Sequence, residues 1–258
     1  MFFPFLFASY FQESNFRLIK SIPTKTAIVT TDNLGNIYIT KGNSLEKYNS
    51  KGEFLKKLSD KNLGNLSFVD TRDPLKILLY YKSFQRIIFI DNMLSPSGNS
   101  ISLDELGLNQ TSLVCTSHNS GFWIYNQQNL ELIRFDQNLQ ITQQTGSVIQ
   151  ITGEAINPNF MTECNNKLYI NDPQKGILVF DIFGTYSRKI PILGVQSFQV
   201  ADEQIIYLKN DILKSHNLIT QEESEIQLPT SGVLIARTEK EKLYLLKPNN
   251  LDIYEAIK

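Results

Sequence analysis

The sequence holds little of what most chemistries require. Two cysteines, Cys115 and Cys164, among 258 residues build neither a disulfide framework nor a four-thiolate metal site, and both are expected as free thiols. Two histidines, His118 and His216, fall short of a catalytic zinc, which takes three protein ligands. Neither GxGxxG nor GxxxxGK[ST] occurs, so no loop is built to cradle phosphates and no cofactor is expected. No GxSxG elbow presents a nucleophile. Lys and Arg number 25 against 26 Asp and Glu, interspersed and without a basic block, which argues against nucleic acid as a partner. No apolar run reaches the roughly 18 residues that span a bilayer, so membrane association is expected only through a partner.

What the sequence has instead is a period. Six apolar-aromatic-apolar triplets stand at Ile37-Tyr38-Ile39, Leu79-Tyr80-Tyr81, Phe122-Trp123-Ile124, Leu168-Tyr169-Ile170, Ile206-Tyr207-Leu208 and Leu243-Tyr244-Leu245. About ten residues after each comes a second apolar run, ending at Tyr48-Asn49, Ile90-Asp91, Phe135-Asp136, Phe180-Asp181, His216-Asn217 and Tyr254-Glu255. A repeat of about 40 residues made of short strands marks an array whose units cannot bury their apolar faces alone. The third repeat parses into strands at 113–115, 122–125, 132–135 and 139–142, bounded by Asn, Gly and Asp turn residues.

The sixth repeat yields strands at 233–236, 243–246 and 251–254 but no fourth, whereas 16–22 is strand-like and has no repeat of its own. If that segment becomes the outer strand of the sixth unit, the array closes and an open edge is protected. The expected fold is therefore all-β, a six-bladed β-propeller over 13–258 with its N-terminal strand completing the last blade. The spacing and the recurring aromatic triplet resemble the six-bladed propellers of the NHL and YWTD type. The YWTD tetrapeptide is absent, the nearest approach being Trp123-Ile124-Tyr125-Asn126, and no WD40 pair of Gly-His and Trp-Asp occurs.

Residues 1–12 form an apolar segment read as a signal for export, to the periplasm or the outer-membrane periphery. No Lys or Arg precedes it, and the alternatives are an arm that packs on the propeller and a cytoplasmic protein. Glu239-Lys240-Glu241-Lys242 is read as a solvated hairpin turn, and the aromatics of the triplets, Trp123 included, as packing between blades.

The resemblance implies that ligands meet the face built from second-to-third-strand turns and inter-blade connectors. That removes Asp32, Asp73 and Asp202, which belong to first turns. Candidate contact residues are Phe84, Met93, Leu94, Asn126, Glu154 and Asp172. Glu154 and Asp172, with Asp211, are too scattered over the repeats for a hard cation, which needs six or more oxygens. No metal site and no catalytic set is assigned. The preferred function is a non-enzymatic scaffold binding a protein partner, as an accessory subunit of the bacterial cell envelope. The alternatives are a hydrolase or lyase using a central pocket, with Glu154 and Asp172 as its acids, and a glycan-binding propeller.

Overall fold

The computed structural model describes residues 15–25 and 28–257. The 1–12 segment, with its Met1-to-Phe11 apolar stretch, therefore lies outside the described residues. Strand β1 (Asn15–Pro23) is followed by β2 (Ile28–Thr31), β3 (Ile37–Lys41), β4 (Ser44–Tyr48) and β5 (Phe54–Ser59), which form the first blade. The second holds β6 (Phe68–Asp70), β7 (Ile77–Tyr81), β8 (Arg86–Ile90) and β9 (Ile101–Ser102). The third holds β10 (Thr111–Thr116), β11 (Phe122–Asn126), β12 (Glu131–Phe135) and β13 (Ile141–Ser147). The fourth holds β14 (Phe160–Cys164), β15 (Lys167–Asp172), β16 (Gly176–Asp181) and β17 (Tyr186–Ile190). The fifth holds β18 (Phe198–Ala201), β19 (Gln204–Lys209), β20 (Ile212–Asn217) and β21 (Glu223–Ile226). The sixth has β22 (Ile235–Glu239), β23 (Lys242–Leu246) and β24 (Asn250–Ile257), and β1 is its outer strand. Six four-stranded antiparallel sheets in succession are the blade set of a six-bladed β-propeller.

The closure expected from sequence is present. β1 pairs antiparallel with β24 from Asn15 opposite Ile257 to Pro23 opposite Asn250, with an irregularity between Leu18 and Lys20. Arg17 reaches Glu255 at 3.0 Å across this ladder, an exposed pair that contributes little by itself.

The sheets fall into two compact units, one of β1–β5 with β18–β24 and one of β6–β17. In the second unit, Leu78, Tyr80 and Phe89 of one blade pack on Val114, Phe122 and Ile133 of the next, and Trp123, Tyr125 and Leu132 pack on Met161, Leu168 and Phe180. In the first unit, Ile206 and Leu213 pack on Ala236, Leu243 and Leu245, and Tyr244, Leu246 and Ile253 pack on Val29, Ile37 and Ile39. Second strands are therefore covered on both faces, and all five residues of β11 are buried. Burial on both faces is why these strands read as unbroken apolar runs rather than as alternations. Each Phe or Ile so buried contributes roughly 1.5–3 kcal/mol relative to exposure.

The Asp or Asn closing each third strand has a local physical cause. Asp91 Oδ1 accepts from Met93 N and Ser95 N at 2.8 Å each, Asp136 Oδ1 from Asn138 N and Gln140 N, and Asp181 Oδ1 from Phe183 N and Thr185 N. Asn49 and Asn217 cap their turns in the same way. These are side-chain-capped turns leading into the fourth strand. In the sixth blade the chain supplies no such turn, and Glu255 simply continues β24.

Taking the cap position, Glu255 in the sixth blade, as a common register, Tyr38, Trp123, Tyr169 and Tyr244 share one position in blades one, three, four and six, each one residue after the partner of the residue just before that position. Tyr80 stands two positions later and Tyr207 one position later in their own blades. The triplets are thus alike in composition but not in register. Other boundaries differ from expectation too. The fourth strand of the third blade begins at Ile141, because Leu139 takes a left-handed conformation (φ 61°) inside the Asp136 turn. The first strand of the sixth blade begins at Ile235, because Val233 N is held by Asp211 Oδ1 at 2.9 Å.

Candidate functional site

Polar side chains concentrate where the inner strands end at the first turns, and within each unit they tie neighbouring blades together. Asp70, buried at the end of β6, accepts from Thr116 N and Thr116 Oγ1 of the third blade at 2.8 Å each. Arg72 braces the same joint, donating to Thr116 O and Oγ1 and pairing with Asp70 at 3.3 Å. Burial pushes the Asp70 carboxyl up, but the Arg72 charge and the Thr116 and Arg72 hydrogen bonds outweigh it and hold it below the ordinary value. In the equivalent place of the third blade stands Cys115, fully buried, its thiol against the Glu163 N–H and pushed well up by burial. In the fifth blade Gln199 grips Thr238 of the sixth in both directions, Thr238 N donating to Oε1 at 2.8 Å and Nε2 donating to Thr238 O at 3.2 Å. One position of the repeat thus clasps the next blade with an acid, a thiol or an amide.

The fourth blade returns the grip with Glu163. Its Oε2 accepts from Ser117 Oγ and Trp123 Nε1 at 2.6 Å each. Its Oε1 accepts from His118 N at 2.7 Å and faces His118 Nδ1 at 3.1 Å. Arg134 completes the cluster, with Nε on Ser117 Oγ at 2.7 Å and a guanidinium NH2 on His118 O at 2.6 Å. Burial raises the Glu163 carboxyl, but the donors from Ser117, His118 and Trp123 lower it by more, for a net shift below the ordinary value.

Ser117, His118 and Glu163 have the composition of a hydrolytic triad but not its geometry. A triad needs the serine on one ring nitrogen and the carboxylate on the other, so that the imidazole can take the hydroxyl proton. Here Ser117 Oγ (3.2 Å) and Glu163 Oε1 both lie on Nδ1, and the serine hydroxyl is spent on the carboxylate itself. The arrangement holds two blades together and leaves no base to activate the serine.

The residues singled out from sequence fall in different places. Phe84 is half exposed in a short turn of helix, Lys82–Phe84, between second and third strands. Met93 is exposed at the far end of β8, in the turn after the third strand. The two stand at opposite ends of one strand and form no common patch. Leu94 beside Met93 is 2% exposed and is part of the core, so it offers no contact surface. Asn126 is buried and holds its own turn by accepting from Gln128 N at 3.1 Å. Glu154 is ion-paired with Lys189 at 2.5 Å and with Lys175 at 3.7 Å. Asp172 is 3% exposed and accepts from the backbone N–H of Asn157, Gln174 and Lys175. Both carboxylates are committed to loop geometry.

Asp32 is likewise buried and saturated, accepting from Leu34 N, Asn36 N, Asn36 Nδ2 and Tyr38 Oη. Neither cysteine is in a disulfide, and His216 is buried in β20. Trp123 and the triplet tyrosines are all buried, as packing residues should be. Among the described residues no group of three or more His, Cys, Asp or Glu could hold a metal ion, and no helix is long and apolar enough to cross a membrane.

The charged stretch at 239–242 departs from a solvated turn. Lys240 (φ 55°) and Glu241 make the exposed turn, but Glu239 and Lys242 are half-buried against the first blade. Thr31 Oγ1 donates to Glu239 Oε1 at 3.3 Å and Lys242 Nζ donates to Ser50 O at 2.6 Å. In the second unit large apolar side chains stand free at the first-turn end. Leu75 is 67% exposed, Met93 59% and Phe183 66%. Met93 was a candidate from the sequence, whereas Leu75 and Phe183 differ from buried apolar neighbours there only in standing two residues after a capping Asp.

No family model matches the chain, and no curated protein matches it. Solved structures do resemble it. The WD40 domain of Pan2 from Neurospora crassa superposes with a TM-score of 0.69 at 9% identity, covering 94% of this chain and 96% of that one. A streptogramin B lyase gives 0.63 at 11% identity over 96% and 99%. A catalytically inactive variant of virginiamycin B lyase from Staphylococcus aureus, with quinupristin, gives 0.59 at 14% identity over 91% and 82%. The extracellular domain of a one-component system from B. thetaiotaomicron gives 0.56 at 11% identity, over 89% of this chain and 33% of that one. At these identities the likeness is one of fold.

Proposed function

We propose that this chain is a non-enzymatic propeller that binds a protein partner, serving as an accessory subunit of the cell envelope. The observation that carries the reading is a contrast within the second unit. The side chains there with catalytic potential, Ser117, His118, Glu163, Glu154 and Asp172, are consumed by internal hydrogen bonds and ion pairs. Leu75 and Met93 of the second blade and Phe183 of the fourth meanwhile present large apolar groups to water at the first-turn end, where a partner would cover them. The likeness to a WD40 domain agrees with a platform role, and the likeness to an extracellular domain agrees with export.

The test is to isolate the tagged chain from its native host after cross-linking and mild detergent extraction, beside a variant carrying Leu75→Glu, Met93→Glu and Phe183→Glu. The expected result is a stoichiometric envelope protein on the wild type that the variant loses while melting at the same temperature. A wild-type chain that emerges alone, or a variant that keeps the partner undiminished, overturns the reading. The mature N-terminus of the same material decides whether residues 1–12 are removed.

A further inference from the structure

The joint between the sixth and first blades is built differently from the joints around Asp70 and Glu163. Each of those buried carboxylates meets several donors. Glu239, at the end of β22, receives one hydrogen bond, from Thr31 Oγ1 at 3.3 Å. The residue after Thr31 is Asp32, a second carboxylate, which is saturated by four donors of its own turn and has none to spare for a shared proton. Tyr38 Oη is spent on Asp32, and Tyr244 Oη is directed at Gly35 O at 3.3 Å.

The charged groups around Glu239 are few. From its own strand and turn come Arg237, two residues earlier on the same face, and Lys240. From the strand opposite comes Lys242, whose ammonium is drawn away to Ser50 O. From the first blade comes Asp32. The fifth blade contributes the apolar Ile206 and Leu213 to the opposite side of the sheet.

From this juxtaposition we infer that Glu239 keeps a proton that an exposed glutamate would release, which makes the sixth-to-first-blade joint a pH-sensitive contact. A half-buried carboxylate with a single donor, set against the strand end that also carries the saturated carboxylate of Asp32, does not stay ionised at low cost. The proton goes to the poorly solvated one. Burial first, and then Asp32, push the Glu239 carboxyl up to about 7, against the pull of Thr31, Lys240 and Arg237. The sign follows from linkage. The unfolded chain releases this proton near the ordinary value of 4.5, so the folded state binds more protons between there and about 7. The joint is at full strength below that window, weakens as pH rises through it, and is weakest above about 7.

The experiment is a carbon-13 titration of the glutamate carboxyls in the full chain, with Glu239 assigned by its disappearance in Glu239→Gln. Alongside it, wild type and Glu239→Gln are melted between pH 5 and 8.5. A Glu239 midpoint near 7, lowered in Asp32→Asn, and a melting-temperature difference that moves in favour of Glu239→Gln from pH 5 to about 7 and levels off above it are expected. A midpoint among the exposed glutamates near 4.5, or a difference between the two melting curves that is independent of pH, overturns the inference. Through-bond correlation from its backbone amide assigns the Glu239 carboxyl in the wild type as well, so the wild-type titration decides the matter even if a variant fails to fold.

Discussion

The indole N–H of Trp123 donates to the carboxylate of Glu163 at 2.6 Å, across the seam between the third and fourth blades and 40 residues along the chain. A buried carboxylate survives there because Ser117, His118 and Trp123 supply the donors it loses from water. Replacing it strands those donors. Glu163→Leu is expected to cost about 2–4 kcal/mol, since several buried polar groups lose their partner at once. Trp123→Phe, which removes one donor of several, is expected to cost about 1–2 kcal/mol. Urea unfolding separates the two, and equal costs would mean that the seam is held by packing rather than by this network.

Glu163 also sets the acid limb of stability. Its carboxyl lies below the ordinary value in the folded state, so its contribution is present above the unfolded range near 4.5 and is lost as pH falls through the folded value. The expected outcome is that the wild type loses melting temperature below pH 4.5 more steeply than Glu163→Gln. Parallel acid limbs would remove Glu163 as a source.

The capped turns predict tolerance of a specific kind. Asp181→Asn keeps the Oδ1 that accepts from Phe183 N and Thr185 N, whereas Asp181→Ala leaves both N–H groups to water. The first is expected to change stability by under about 0.5 kcal/mol and the second by about 1 kcal/mol. Denaturant midpoints check this, and the same ordering should hold at Asp136.

Gly176 opens β16 at φ 104°, and a Cβ there would press on the Ile190 carbonyl oxygen of the neighbouring strand. Both the dihedral and the backbone contact forbid a side chain, so Gly176→Ala is expected to cost on the order of 2–3 kcal/mol. Gly98, with open space around it, serves as the control, since Gly98→Ala meets only the dihedral strain.

Removing residues 15–23 takes away the outer strand of the sixth blade and exposes the edge of β24. Loss of a single cooperative melting transition is expected. A truncated chain that melts like the wild type would show that the pairing with β24 is dispensable.

The architecture was legible because it rests on local chemistry repeated from blade to blade. Apolar second strands, capping Asp or Asn after the third, and a strand-like 16–22 with no repeat of its own each carry their reason within a few residues. The seams were not legible, because their partners are one repeat apart and their meeting depends on register. Nothing local distinguishes the buried Glu163 from the exposed Glu241, or Glu239 in its seam from a turn glutamate. Register itself slipped where composition misled, as at Tyr80 and Tyr207. Met93 was legible as a contact candidate, but the exposed tip Phe183 became visible only once the turn that presents it was placed, and Leu94, adjacent in sequence to Met93, turned inward.

The pairing of β1 with β24 has a mechanical consequence. Asn15 and Ile257 face each other at the same end of the ladder, so a tension pulling them apart loads its hydrogen bonds in succession rather than together. The sheet would peel from that end like a zipper, giving way at low force and re-forming readily when slack returns. A pull applied instead between Pro23 and Ile257, at opposite ends of the ladder, would shear all the bonds at once and meet far greater resistance.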